Sequence, residues 1–242
     1  MPEQTATARD RMQSAIQLAA FRYIVCLKAT PTNADHRLTI DNTVYVFDAI
    51  ARTDSVRLHA DFQRWASTVV IRDLIESFSI FLMEVYQDSI HANPMANYSA
   101  TSEQFERQGL EGQLEILRKD FSIDSEWMSR LIGFNRARNC LAHRQGIVGP
   151  RDVTDGSYLV VRWLASRAKI NEMSVEPIID IDGPTSALIQ AKLTHGSSFG
   201  IVIDDREKRI AVGSVLSFHP ADILEICQTF QMVTAAFSEL KK

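Results

Sequence analysis

Apolar residues recur at spacings of three and four through Met12, Ile16, Ala19, Ala20, Tyr23 and Leu27. That is the period of an amphipathic helix. The stretch Thr30-Pro31-Thr32-Asn33 stops it, because the residue before a proline is pushed out of the helical region. Val44 to Ile50 begins apolar and β-branched and fits either a short strand or a helix start. From Val56 to about Ile90 no Pro or Gly intervenes, and Thr53-Asp54-Ser55 offers an N-cap. Leu58, Phe62, Trp65, Val69, Leu74, Phe78, Phe81, Leu82, Val85 and Tyr86 supply an apolar stripe, which predicts a long bundle helix with Ser67 as the place for a break. Arg64, Arg72, Asp73 and Glu76 fall on its polar side, facing solvent or a neighbouring helix.

After the loop from His91 to Thr101, Ser102 caps a predicted helix to about Lys119, with Phe105, Leu110, Leu114 and Leu117 inward. Ser122 to Glu126 reads as the start of another, running from Trp127 to about His143 and ended by Gly146 and Gly149-Pro150. Beyond residue 146 the texture becomes strand-like. Tyr158 to Leu164 is one strand, and Phe199 to Val212 reads as two strands joined by a polar turn at Asp204 to Lys208, with Val215-Leu216 as a possible extension of the sheet. His219-Pro220-Ala221-Asp222 then opens a closing helix to Leu240. The predicted fold class is mainly α. Residues 1–146 form a helical bundle, 147–217 a β-rich insertion, and 218–242 a C-terminal helix returning to the bundle.

Composition narrows the setting. A content of 45% hydrophobic and 23% charged residues is that of an ordinary soluble globular protein, and 242 residues can bury a sizeable core. Cys26, Cys140 and Cys227 form no CxxC pair and fit reduced thiols in a cytoplasmic protein. The run Ile71 to Tyr86 is interrupted by four charged residues, so no segment is expected to span a membrane. A net charge of −4 argues against a protein that coats nucleic acid with its whole surface, but leaves room for a local basic groove.

Such a groove has one strong candidate. From Met128 to Arg151 inclusive there are five arginines and no Asp or Glu. Within this window runs Asn135-Arg136-Ala137-Arg138-Asn139-Cys140-Leu141-Ala142-His143-Arg144. An imidazole titrates near neutrality and can take or give a proton, while a guanidinium stays charged and donates paired hydrogen bonds to phosphate oxygens. Together they suit RNA cleavage by attack of the 2′-hydroxyl on the adjacent phosphorus, with no metal or other cofactor. On an ideal helix Arg136, Asn139 or Cys140, and His143 share a side, whereas Arg138 points about 140° from His143. One histidine supplies one of the two proton transfers, so a symmetric dimer with its motif helices face to face is the expected source of the second. Arg130, Arg136 and Arg144 are candidate substrate-binding cations. The structural alternative is a basic helix terminus complementing the helix dipole.

Arg138-Asn139-Cys140-Leu141-Ala142-His143 resembles the signature of the HEPN superfamily: an arginine, four to six residues, then a histidine, often with Asn directly after the arginine. The resemblance implies a dimerising helical bundle and a metal-independent endoribonuclease of the kind found in bacterial toxin–antitoxin and phage-defence systems, with an antitoxin or regulatory protein as a further partner. It implies Arg138 and His143 as the catalytic pair and Asn139 as the residue orienting them. Arg136 meets the looser six-residue spacing, so the arginine assignment stays open. Gln145 stands where one subfamily carries a modified tyrosine. The competing class is a catalytically inactive HEPN-like module binding RNA or protein through the same patch.

Other patterns carry less. Gly196-Ser197-Ser198-Phe199-Gly200 matches the G-x-S-x-G elbow, but a strand follows where that elbow needs a helix, which places Ser198 in a hairpin or loop. The histidines show no HxxxH pairing and give zinc no support. Asp180 with Asp182, or Asp204, Asp205 and Glu207, read as solvated turns before they read as cation ligands. Trp163, near Arg162 and Arg167, either packs the sheet or stacks on single-stranded bases.

Overall fold

A computed structural model describes residues 6–29, 37–40, 43–46, 52–170, 173–175 and 199–240. Its helices are α1 (Ala8–Ala29), α2 (Arg52–Ala92), α3 (Ser102–Glu106), α4 (Leu110–Phe121), α5 (Ser125–Arg144) and α6 (Pro220–Phe237). The strands β1 (Arg37–Ile40) and β2 (Thr43–Val46) pair as an antiparallel hairpin, which decides for a strand at the start of the ambiguous Val44–Ile50 stretch. The rest of that stretch lies outside the described residues. A second antiparallel sheet has the order β4-β3-β5, built from β3 (Tyr158–Ile170), β4 (Met173–Val175) and β5 (Phe199–Ala211). The chain is thus mainly helical, with the β-rich part between α5 and α6.

The predicted stripe of α1 is buried at Met12, Ile16, Ala19 and Tyr23. A reciprocal pair starts the helix, Thr7 N–H donating to the Asp10 carboxylate and Asp10 N–H to the Thr7 hydroxyl. α2 runs unbroken for 41 residues, roughly 60 Å at 1.5 Å per residue, and includes Thr53, Asp54 and Ser55 within the helix rather than as its cap. No break occurs at Ser67. Its hydroxyl donates to the Gln63 carbonyl at 2.8 Å, one turn back, and lies 3.3 Å from the buried Tyr23 hydroxyl. Such a back-bond to the carbonyl four residues earlier can bend a helix, and here α2 continues through it.

The single helix expected from Ser102 to Lys119 is two. Thr101, not Ser102, caps α3 in a reciprocal box with Gln104. Gly109 caps α4 in an extended conformation. The turn between them sets Phe105 flat against Tyr86, with ring centroids 4.2 Å apart. Tyr86 donates to the Asp120 carboxylate at 2.9 Å, tying α2 to α4.

The core gathers where α2, α5 and α6 meet. Phe78 lies 5.5 Å from Phe81, 5.5 Å from Phe230 and 5.9 Å from Phe237, and Phe134 of α5 lies 5.3 Å from Phe230. α6 also packs on α1 and on β3. Its start is fixed by His219 as N-cap, with Pro220 in the first turn.

β5 corrects the sequence reading. Asp204 to Lys208 is not a turn but the middle of one 13-residue strand, paired along its whole length with β3 in a register that sets Arg162 opposite Glu207 and Trp163 opposite Arg206. Charged residues fill the strand because alternate positions meet opposite partners: Asp205 and Glu207 reach Arg130 and Arg162, while Lys208 reaches Asp222 at the start of α6. Val215 makes a lone bridge with Ile147 instead of prolonging the sheet. Over Tyr158 to Ser166 the other edge of β3 is covered by side chains and helices. Leu164 N–H donates to the Thr229 hydroxyl of α6 at 2.9 Å, and Val160 N–H to that of Thr154 at 2.8 Å. Such covering blunts an edge that would otherwise template another strand. α5 comes so close that a Cβ on Gly133 would stand 2.8 Å from the Val160 carbonyl oxygen. Among the described residues no helix is long and apolar enough to cross a membrane.

Candidate functional site

α5 carries every residue of the arginine–histidine motif. Asp124 caps its start, accepting from Glu126 N–H, and Gln145 ends it in the left-handed conformation at φ 52°. Gly146, also at positive φ, donates its N–H back to the Cys140 carbonyl at 3.1 Å. The helix is therefore regular through Arg144, and within one copy Arg138 and His143 keep the divergence expected of residues five apart.

One side of the helix is core: Leu131, Phe134, Ala137, Cys140 and Leu141 are buried. Cys140 is thereby removed from the side it was expected to share with His143. Burial pushes its thiol up to about 11, and burial pushes the Cys227 thiol up to about 12, so neither is a nucleophile near neutral pH. The opposite side, toward the C-terminal end, presents Ala142 and His143 exposed and Asn139 half-buried. Among the described residues His143 has no hydrogen-bond or ion-pair partner.

The four arginines of α5 are all ion-paired, each in a different way. Arg130 is 7% exposed, packed over the Trp127 ring at 5.3 Å and held between Glu126 and Asp205. Arg136 donates to Glu111 of α4 at 2.7 Å and to the Arg151 carbonyl at 2.8 Å. Glu111 also accepts from Asn135 at 3.1 Å. Arg144 makes two bonds to Asp152, a carboxylate with 0% exposure that accepts Gly149 N–H at 2.8 Å as well. Arg138 is the least committed. It donates to the Asn139 side-chain oxygen at 2.8 Å and, at 3.3 Å, to Glu76 on the polar side of α2.

The positive field expected from the acid-free window is consequently offset. Five carboxylates from α2, α4, the first turn of α5, the 145–152 loop and β5 face these guanidiniums. Sequence reasoning missed Glu76, Glu111, Asp152 and Asp205 as parts of the arrangement. Glu76 alone had a signal, its place on the α2 polar side. The structure brings Arg138 and Asn139 together and leaves His143 at the surface one turn further on. It places Arg130 and Arg144 in structural pairs, away from solvent or tied to a buried acid.

The remaining candidates are placed as well. Trp163 is 3% exposed and its indole N–H donates to Glu225 at 2.6 Å, so it packs the sheet and does not stack on bases. Asp205 and Glu207 are arginine partners on β5, not turn residues. Ser198, Asp180 and Asp182 lie outside the described residues. Among the described residues no three of His, Cys, Asp and Glu gather as a metal site.

Comparison with known proteins adds nothing to this geometry: no family model, no curated protein and no solved structure matches the chain.

Proposed function

We propose that the protein is a metal-independent endoribonuclease of the HEPN type, acting as a homodimer on RNA. The observation that carries the reading is His143. It is an exposed imidazole free of partners among the described residues, one helical turn beyond an asparagine that already holds an arginine by its guanidinium. In this reading His143 moves a proton between the 2′-hydroxyl or the leaving 5′-oxygen and itself. Arg138 stabilises the charge gathering on the phosphorus oxygens, and Asn139 keeps its guanidinium in plane. Arg138 is favoured over Arg136 because its contact with an acid is the looser one, 3.3 Å to Glu76 against 2.7 Å from Arg136 to Glu111.

Because α5 is an uninterrupted helix through the motif, Arg138 and His143 of one copy do not converge. A two-fold partner that lays its own α5 surface across Ala142, where no side chain obstructs, supplies the second proton-transfer group. The setting of a bacterial toxin or defence ribonuclease, with an antitoxin or regulatory protein as partner, rests on the motif's resemblance alone, and the cytoplasmic location on the spacing of the three cysteines.

One observation favours the second reading, an inactive HEPN-like module that binds RNA or protein. Every arginine of α5 is matched by a carboxylate, so the surface does not concentrate positive charge. The two readings separate in one assay. Purified protein and its His143→Ala variant are incubated with RNA in EDTA and the new ends are analysed. The enzyme reading requires ends bearing 2′,3′-cyclic phosphate or 3′-phosphate that vanish in the variant. Intact RNA with retained binding assigns the module, and equal cleavage by both proteins rejects the His143 site.

A further inference from the structure

We propose that Glu76 is a built-in competitor for the RNA phosphate: it occupies Arg138 in the free protein and must be displaced before that arginine can hold a phosphodiester. The inference rests on the reading of Arg138 as the phosphate-binding arginine. It adds a regulatory contact from another helix.

The four arginine pairs of α5 differ in how readily they open. Arg144 sits on a fully buried acid through two bonds, and Arg130 is itself 7% exposed between two carboxylates. Arg136 spreads its two terminal nitrogens over a carboxylate and a backbone carbonyl. Arg138 meets Glu76 through one contact of 3.3 Å, longer than the 2.7–2.9 Å usual for a charge-assisted bond. The Glu76 side chain is 53% exposed. Arg138 is 27% exposed, so the pair is only partly solvated, but water already competes for the Glu76 carboxylate and a single long contact of this kind contributes little.

Glu76 also has somewhere to go. Arg72, one turn earlier on α2, holds its Nε 4.0 Å from the same Glu76 oxygen and is 49% exposed. Arg72 already holds Asp73 through Nη2 at 3.2 Å, so a small rotation of the Glu76 side chain exchanges Arg138 for the Nε of Arg72 without leaving the carboxylate uncompensated. When it moves, one terminal nitrogen of Arg138 becomes free while the other stays on Asn139, so the guanidinium keeps its orientation. A phosphodiester oxygen is the same kind of acceptor as the carboxylate it replaces. The exchange is favoured for a strand that brings several phosphates at once, and disfavoured for a lone anion that gains a single contact. Glu76 therefore selects against free phosphate and mononucleotides.

The test measures binding of a fluorescent single-stranded RNA oligonucleotide by anisotropy at fixed salt, with His143→Ala present throughout so that the probe stays intact. Adding Glu76→Gln is expected to tighten binding about two- to five-fold, the range an exposed pair allows. In a background that also carries Arg138→Gln, the gain should vanish. Inorganic phosphate should compete with the RNA better in the Glu76→Gln protein than in its parent. Glu115→Gln, which removes an equally exposed carboxylate paired with Arg118, sets the size of a general charge effect. Unchanged or weaker binding by Glu76→Gln overturns the proposal, as does a gain that persists without Arg138. If His143→Ala abolishes cleavage while Glu76→Gln leaves binding untouched, the ribonuclease reading stands and only the role of Glu76 falls. If no variant binds RNA, both fall.

Discussion

Asp152→Ala is the substitution whose cost the structure defines best. The carboxylate has 0% exposure and accepts three hydrogen bonds, two from Arg144 and one from Gly149 N–H. A hydrogen bond to a charged group contributes about 1.5–3 kcal/mol, and a stranded buried donor adds a penalty of its own. Arg144 is 34% exposed and can turn to water when its partner is gone, which recovers part of the loss. The expected destabilisation is therefore about 2–4 kcal/mol, less than the simple sum. Asp152→Asn keeps one acceptor oxygen and should lose roughly half as much. Urea unfolding followed by circular dichroism measures this as a lower midpoint at constant slope. The comparison variant is Glu115→Ala, whose pair with Arg118 is about half exposed on both sides and should change stability by no more than about 0.5 kcal/mol. A value for Asp152→Ala equal to that of Glu115→Ala would refute the reasoning, since it would mean that the buried carboxylate is hydrated in the folded protein. The same variant should disturb His143 before it unfolds the chain. The pair closes residues 145–152 back onto the last turn of α5, so the His143 imidazole resonances should shift and broaden under native conditions.

Two further outcomes follow from packing and burial. Gly133→Ala gains helix propensity worth about 1 kcal/mol, yet its Cβ would meet a backbone carbonyl at 2.8 Å. A carbonyl held in a sheet yields little, so the net effect in the same urea assay should be a loss of about 1–2 kcal/mol; a gain would show that α5 is free to slide on β3. The second outcome concerns the thiols. Iodoacetamide at mildly alkaline pH should label the half-buried Cys26 in the native protein, and Cys140 and Cys227 only after unfolding. The sign of the pH effect is fixed by burial raising the Cys140 thiol to about 11 against an ordinary value of about 8.5. Its contribution is fully present below the ordinary value and is lost as pH rises toward 11, so Cys140→Ala should flatten the alkaline decline in urea midpoint.

Much of the helical half was legible because its pattern is local. The stripe of α1, the long gap-free α2 and the span of α5 all declare themselves within windows of ten to forty residues, where periodicity and the absence of Pro and Gly decide. β5 was not legible. Asp204 to Lys208, within a run of six charged residues, reads as a turn when taken alone, and only the partners on α5, β3 and α6 make a strand of it. The site shows the same divide. Arg138, Asn139 and His143 are visible in six residues of sequence, whereas the acids that face the arginines come from positions 25, 62 and 75 residues away. A window without Asp or Glu says nothing about what another helix brings to it. Asp152 sits one residue beyond that window and reaches Arg144 only because the loop folds back.

The alternation along β5 has a consequence for how this chain can change. Odd positions Asp205, Glu207 and Arg209 answer one set of neighbours, and even positions Lys208 and Ile210 answer another. Deleting a single residue within the strand would exchange the two sets, turning Lys208 toward Arg162 and an acid toward the covered side. Substitutions can be absorbed one at a time, because each touches one pair. A frame slip cannot, because it rewrites both faces together. Across sequences descended from this one, the strand should therefore drift in identity while keeping its parity, with length changes confined to the connections on either side.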